Sequence, residues 1–169
     1  MEVNIPEKMS VEVAIDAIKI KAGGIETILK YNSRKMKIEV KANVIQITPL
    51  KKLRRETNAM INSVGRNILN VFKGAVEPFS KKMQVVYAHF PVSIEVKGTK
   101  IIIKNFLGEK VPRVANIVSN TQVQIAGQDI TVKGPSKEAV GQTAANIIQA
   151  VKIVGKDRRV FSDGIYHVR

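Results

Sequence analysis

His89 and His167 are the two side chains in this sequence best suited to general acid–base catalysis near neutral pH. A general base also needs a correctly placed partner, and His89, within YAHFP, is predicted to be a structural residue. The carboxylates alternate with apolar residues on predicted strands or lie in the first turn of a helix, as do Glu12, Glu39, Glu95 and Glu138. This placement is typical of solvated, charge-balancing surface, so we predict no catalytic residue.

Cofactor and metal chemistry has little support in the sequence. There is no cysteine, which excludes disulfides and thiolate metal sites. The segment GPSKEAVG lacks the terminal Gly-Lys-Ser/Thr of a Walker A motif, and KAGGIE (21–26) predicts only a glycine turn. We therefore expect no cofactor, no metal and no small-molecule substrate.

The stretch VKGPSKEAVGQTAANI could bind phosphate. A strand-like run ends at Gly134-Pro135, and Ser136 is a good N-cap for a helix running to about Val151. Free backbone N–H groups and the positive end of the helix dipole would then lie beside Lys137. Gln142 and Asn146, four residues apart, would share one face, and Gly141 would admit another backbone. Ordinary capping with a tolerated glycine explains the same residues.

The segment GKDRRVFSDGIYHVR (155–169) mixes bases with aromatic residues around a predicted turn at Asp163-Gly164. Its bases and aromatics are Lys156, Arg158, Arg159, Arg169, Phe161 and Tyr166. Such interleaving suits phosphate contact and stacking on RNA. The alternative is a charged tail whose aromatics pack on the core, and both interpretations can hold together.

Period-two alternation predicts the elements that must position these residues. Hairpins are predicted over 36–48, 93–104 and 121–134, with turns at Ala42-Asn43, Gly98-Thr99 and near Gly127-Gln128. Helical spacing follows Pro49, with Leu53 on the apolar face and Gly74 as a predicted stop. Ile38, Val40 and Ile47 match Val123, Ile125 and Val132 at one constant offset. We therefore predict a duplicated α+β protein with domains 1–82 and 83–169, joined near 79–91, each with a small sheet and one main helix.

The charge balance indicates the class of partner. The 28 Lys and Arg against 14 Asp and Glu give a net charge of +14, spread along both halves. A surface of this kind favours nucleic acid first and an anionic membrane second. The apolar runs are too short to span a bilayer, and the first residues lack the apolar block of a signal peptide. We expect a cytoplasmic protein with no membrane partner.

Several segments resemble one protein family. NFLGEKVPR (105–113), KGPSKEAVGQTAANI (133–147), DRRVFSDGIY (157–166) and VYAHFPVSIEV (86–96) resemble the ribosomal large-subunit protein six family, in its archaeal and eukaryotic branch. The resemblance implies two similar α+β domains and a non-enzymatic role. It implies binding to large-subunit ribosomal RNA near the sarcin–ricin loop and stalk base, beside neighbouring ribosomal proteins and close to where translational GTPases dock.

The resemblance also implies which residues contact RNA, because in the family the second domain and the C-terminal extension bind most of it. The implied residues are Lys104, Asn105, Lys110, Arg113, Lys133, Lys137, Gln142, Asn146, Lys156, Arg158, Arg159, Phe161 and Tyr166. The first domain departs from the family pattern, with KAGGIET where relatives carry a Gly-Pro-Lys-Gly turn. RNA contact at that turn is therefore not predicted.

Two other functions are compatible with the sequence. One is a free-standing RNA-binding or RNA-chaperone module outside the ribosome. The other is an enzyme acting on RNA, which would need His89 or His167 for a pH-dependent activity.

Overall fold

The computed structural model describes residues 1–6, 9–22, 25–41, 43–50, 54–157 and 159–168. The chain divides into two compact units, Met1–Glu77 and Pro78–Arg169. Each unit combines antiparallel sheets with one main helix. This confirms the predicted α+β class and the internal duplication. The boundary predicted at 82/83 falls inside the strand that opens the second unit, Phe79–Val86.

The described part of the first unit contains six strands and one helix. These are β1 (Glu2–Asn4), β2 (Met9–Val13), β3 (Ala17–Ala22), β4 (Ile25–Lys30), β5 (Met36–Lys41), β6 (Val44–Pro49) and α1 (Arg55–Val76). They form two three-stranded sheets of order β2-β3-β4 and β1-β6-β5. Alternate isoleucines of β3 and β6, such as Ile20 and Ile45, are fully buried and pack with Ile68 and Phe72 of α1. This core is specific to the first unit.

The described part of the second unit has seven strands, a short 3-10 turn (Phe106–Gly108) and one α-helix. These are β7 (Phe79–Val86), β8 (Ser93–Lys97), β9 (Lys100–Lys104), β10 (Arg113–Asn116), β11 (Gln122–Ala126), β12 (Asp129–Gly134), α2 (Lys137–Ala150) and β13 (Gly164–His167). The strands form a three-stranded sheet of order β10-β9-β8 and a four-stranded sheet of order β11-β12-β7-β13. Both sheets and α2 share one apolar core.

Strand register shows the duplication directly. Ile38 pairs with Ile47 in the hairpin β5–β6, and Val123 pairs with Val132 in the hairpin β11–β12. These are the positions that the sequence pattern matched. The strand β1 adds to β6 as β7 adds to β12. The second unit also has β13, which has no counterpart among the described strands of the first.

The two helices differ in how well the sequence predicts their ends. Ser136 is the N-cap of α2 and its side chain accepts from the Ala139 N–H, which confirms the predicted start. The prediction that Gly74 stops α1 is wrong, because Gly74 is buried within the helix. The helix ends at Val76, before Glu77 turns extended ahead of Pro78, since the residue preceding proline disfavours helical geometry. Leu53, predicted on the helical face, lies outside the described residues.

Two segments predicted as connection and tail contain strands. β7 lies within the predicted junction 79–91 and occupies an inner position of the four-stranded sheet, where it pairs with both β12 and β13. In its first half Ser80, Lys81 and Lys82 are all exposed, so the alternation of polar and apolar residues that predicts a strand is missing there. β13 is formed by Gly164–His167 and is an edge of the same sheet. The described part of the segment 155–169, here called the arm, is therefore built into the fold of its unit.

In the part of the chain that the structure describes, neither helix has the length and hydrophobicity together that crossing a membrane requires.

Candidate nucleic-acid interface

The start of α2 is held by its cap. The Ser136 Oγ accepts a hydrogen bond from the Ala139 N–H at 3.3 Å, and the Val140 N–H donates to the Ser136 carbonyl at 3.0 Å. Lys137, the first helical residue, is exposed beside the remaining N–H groups. The side of α2 that faces the core carries Ala139, Val140, Thr143, Ala144 and Ile147, as the sequence predicts.

Two amide side chains link α2 to β10. The Gln142 Nε2 donates to the Asn146 Oδ1 at 2.9 Å, and the Asn146 Nδ2 donates to the Asn116 carbonyl at 2.9 Å. Asn146 is thereby fixed by the protein, while Gln142 stays exposed. A depression of about 300 Å³ lies beside them, lined by Val114, Ala115, Asn116, Asn146, Gln149 and Ala150. Sequence reasoning missed Asn116, which contributes through its backbone and so leaves no signal.

Gly141 leaves an opening on the same helix. A Cβ atom added there would meet no other described atom within 4 Å, apart from the neighbouring backbone of α2 itself. The protein therefore does not require glycine at this position for its own packing. This agrees with the predicted close approach of another molecule, without testing it.

Two predicted lysines lie at the end of β9 and in the loop that follows it: Lys104 is paired with a glutamate, and Lys110 is exposed. The Lys104 Nζ lies 2.6 Å from the Glu95 Oε1. Asn105 has a positive φ of 59° and donates through Nδ2 to the Pro91 carbonyl at 2.9 Å, a conformation that asparagine tolerates better than most residues. Lys110 is exposed. Of these three residues, Lys110 is the one best placed to reach a partner.

Arg113 is bound within the protein. Its guanidinium donates to both carboxylate oxygens of Glu109, at 2.8 and 2.6 Å, and to the carbonyls of Ala150 and Lys152, at 3.0 and 3.1 Å. It also lies 4.7 Å from the centre of the Phe106 ring. The hydrogen bonds with Glu109 raise the Arg113 pKa and lower the Glu109 pKa. Arg113 thus joins the loop, β10 and the end of α2.

The aromatic ring of Phe161 contacts two nitrogen-bearing side chains. The Lys156 Nζ lies 4.5 Å from its centre, and the His89 imidazole stacks on it with centroids 4.9 Å apart. Phe161 is half-buried against the core. The contact holds the Lys156 ammonium beside the ring.

Asp163 fixes the arm and was missed as a functional position. Its carboxylate is 2 % exposed and accepts from the Ala88 N–H at 2.8 Å. The His89 Nδ1 lies 3.2 Å from both of its oxygens. Burial would raise the Asp163 pKa, but the Ala88 and His89 contacts hold the pKa below its ordinary value. The sequence signal was a turn predicted at Asp163-Gly164, which is wrong because Gly164 begins β13. The prediction of a structural His89 agrees with its pairing with Asp163.

The other predicted residues that the structure describes lie on the surface of the second unit. The Arg159 side chain is 91 % exposed, although its guanidinium contacts Asp157. Tyr166 on β13 is exposed and donates to the Ser162 carbonyl at 2.9 Å, so the predicted inward packing of the tail aromatics holds for Phe161 only. Lys133 is exposed on β12. Arg158, also predicted, lies outside the described residues, as does Arg169.

The described residues contain no group of three or more His, Asp or Glu side chains that could hold a metal ion. Fold and surface define a class: a basic protein of two similar α+β units, the second of which has exposed cations on a loop, a helix start, two strands and an arm.

Comparisons with known proteins give the family. Residues 90–164 match the family described as Ribosomal protein L6. The chain is 41 % identical to the large ribosomal subunit protein uL6 of Methanococcus vannielii, over 99 % of this chain and 91 % of that protein. It is 41 % identical to uL6 of Methanosarcina mazei, covering 99 % and 94 %, and 44 % identical to uL6 of Archaeoglobus fulgidus, covering 99 % and 87 %. The chain belongs to the ribosomal protein L6 family. It is a structural ribosomal protein and not an enzyme.

Proposed function

We propose that this chain is a constituent of the large ribosomal subunit in the cytoplasm and binds large-subunit ribosomal RNA mainly through its second unit. The observation that carries the proposal is the relationship to proteins named large ribosomal subunit protein uL6 over 99 % of the chain. The net charge of +14 supports a polyanionic partner.

The second unit offers three groups of contacts. The loop contributes Lys110, with Lys104 and Asn105 beside it. The helix α2 contributes Lys137, Gln142 and Asn146, and the arm contributes Lys156, Arg159 and Tyr166. Phe161 positions Lys156, and Arg113 positions the loop against the end of α2.

The position on the ribosome follows from the family resemblance. In this proposal the chain binds near the sarcin–ricin loop and the stalk base, beside neighbouring ribosomal proteins. There it supports the region where translational GTPases dock. Short amides on α2 suit this role, because hydrogen-bonded amides can lie closer to an RNA groove than long mobile cations.

Two measurements test the proposal. The first is the affinity of the full chain for deproteinised large-subunit RNA of Methanococcus vannielii. About six phosphate contacts would lower it on the order of a thousandfold between 50 and 200 mM salt. A flat salt response contradicts RNA binding through phosphates.

The second measurement is footprinting of that RNA by the bound chain. Protection concentrated at the sarcin–ricin loop and stalk base is expected, and protection elsewhere contradicts the proposed position. Co-sedimentation with large subunits in high-salt gradients separates a subunit constituent from a free-standing RNA-binding module, because only the constituent stays bound.

A further inference from the structure

The four-stranded sheet β11-β12-β7-β13 has one face in the core and one face open. Met83, Val85, Ile130 and Val132 alternate along β7 and β12, are buried, and pack in the core that includes α2. The residues between them point the other way. The open face carries Lys82, Gln84, Gln122, Gln124, Asp129, Thr131 and Lys133, all exposed except the half-buried Thr131.

Some lysines of the three-stranded sheets form ion pairs that the two lysines of this face lack. Each three-stranded sheet has a glutamate that pairs with lysine: Glu12 with Lys21, Glu39 with Lys37 and Lys41, and Glu95 with Lys97 and Lys104. Among the described residues, neither Lys82 nor Lys133 has a carboxylate within 4.0 Å. The open face of the four-stranded sheet therefore carries two lysines without an ion pair to a described group and one carboxylate, Asp129, which lies opposite Gln84.

Register places these lysines beside amide and hydroxyl groups. Lys82 pairs with Thr131, which pairs with Gln124 on the next strand. In the adjacent row, Lys133 lies between Ser80 and Gln122. The two lysines are thus diagonal neighbours on adjacent strands. Two cations at this spacing repel each other, and an anion bound between them would relieve that repulsion.

An aromatic ring lies at the edge of the same face. Tyr166 of β13 pairs with Gln84 of β7, and it is half-exposed. A Cβ added to Gly164 would come within 3.2 Å of the Tyr166 ring, so the ring lies over the glycine. A tyrosine lying against the strand leaves one ring face available for stacking.

We propose that the open face of the four-stranded sheet is a second RNA-contact surface, in which Lys82 and Lys133 bind the phosphate backbone while the glutamines contact sugar or base edges. Charge complementarity favours RNA: the face combines two unpaired cations and a single carboxylate, Asp129, with neutral donors and acceptors and a ring that can stack on a base. The inference rests on the proposed function and adds Lys82, Gln84, Gln122, Gln124, Thr131 and Lys133 to its contact residues.

The first test uses the wild-type chain and measures how fast each lysine is acetylated, by mass spectrometry. The probe is deproteinised large-subunit RNA of Methanococcus vannielii. We expect the RNA to slow acetylation of Lys82 and Lys133 severalfold more than that of Lys37 and Lys41, which lie on β5 beside Glu39. Equal rates for all four lysines with and without bound RNA overturn the inference.

The second test compares two double variants with the same change in charge. Lys82→Gln with Lys133→Gln removes the two proposed phosphate contacts, and Lys37→Gln with Lys41→Gln is the matched control. The slope of log affinity against log salt should become shallower by about 1.4 to 1.8 for the first variant, at 0.7 to 0.9 for each lost contact. Melting curves check that both variants fold. A slope equal to the control overturns the inference.

The outcomes separate this inference from the function on which it rests. Salt-dependent RNA binding without any involvement of Lys82 and Lys133 contradicts the proposed contact face and leaves the proposed function intact. Absence of RNA binding by the wild type contradicts both the contact face and the proposed function. Protection of both lysines in reconstituted large subunits, but not by RNA alone, assigns the face to an acidic segment of a neighbouring protein and overturns RNA as its partner.

Discussion

The His89 imidazole holds the buried carboxylate of Asp163, with Nδ1 3.2 Å from each carboxylate oxygen. The pair joins the segment after β7 to the segment before β13, across 74 positions of the chain. Because Asp163 also accepts the Ala88 N–H, one side chain fastens the arm at two points. These contacts fix the position of the arm within the second unit. The exposed basic side chains of the arm therefore project from an ordered segment.

Replacing Asp163 with asparagine should lower the free energy of unfolding by about 1 to 3 kcal/mol at pH 7, because a charge-assisted hydrogen bond is lost in a buried place. Chemical denaturation measures the change. Asp129→Asn, at an exposed strand position, is the control and should change stability little. If Asp163→Asn is as stable as this control, the contacts of Asp163 with Ala88 and His89 do not stabilise the protein.

The same variant predicts a pH dependence. The folded-state pKa of Asp163 lies below its ordinary value of 3.8, so its contribution is complete above that value and is lost as pH falls through the folded pKa. The gap in unfolding free energy between wild type and Asp163→Asn should be constant near neutrality and narrow below pH 3.8. Denaturation curves across this range measure it, and a gap that widens in acid contradicts the direction of the pKa shift.

Arg113 and Lys110 should separate stability from RNA affinity. Arg113→Lys loses the two-pronged contact with Glu109 and at least one carbonyl contact, so it should destabilise the unit by about 2 kcal/mol. Lys110→Gln should leave the melting temperature unchanged and weaken RNA binding. Melting curves and RNA titration of both variants check this. The assignment fails if Arg113→Lys melts like the wild type while binding RNA less tightly.

Gly141→Ala should stabilise the free protein by about 0.5 to 1 kcal/mol, since alanine is the better helix former and the added methyl has space. A bulkier change, Gly141→Gln, should weaken incorporation into the large subunit more than it weakens folding. Denaturation of the free chain measures its folding stability, and subunit reconstitution measures its incorporation. Parallel losses in both would argue against a close RNA approach at this point of α2.

Ser136→Ala should cost about 1 kcal/mol of stability, because the Ala139 N–H loses its side-chain acceptor. Ser136→Asn retains a capping oxygen and should restore most of it. Comparing the two by chemical denaturation isolates the cap from the size of the side chain. If both variants unfold alike, the hydrogen bond at 3.3 Å is not stabilising.

Local patterns were sufficient for much of the fold. The hairpins around Gly98 and Gly127 turn where the sequence predicts, since both glycines adopt positive φ between alternating strands. The cap at Ser136 was predictable because capping depends on residues a few positions apart. β7 was not, because its partners are distant strands and its lysines break the alternation.

The roles of individual surface residues depended on distant contacts. The Arg113 guanidinium donates to the carbonyls of Ala150 and Lys152. This structural role could not be predicted, because backbone acceptors have no sequence signature. Phe161 and Tyr166 look alike in the sequence, yet the first packs against the core and the second lies outside on β13. RNA contact by the predicted residues stays a prediction.

The pairing of β13 with β7 also determines where the second unit could be cut and rejoined. The Val168 N–H donates to the Lys82 carbonyl at 3.1 Å, so the far end of the arm lies beside the beginning of the unit's opening strand. A short linker could join these neighbouring ends, with new termini opened in an exposed hairpin turn such as Gly127-Gln128. A circular permutant joined in this way should preserve the strand order β11-β12-β7-β13.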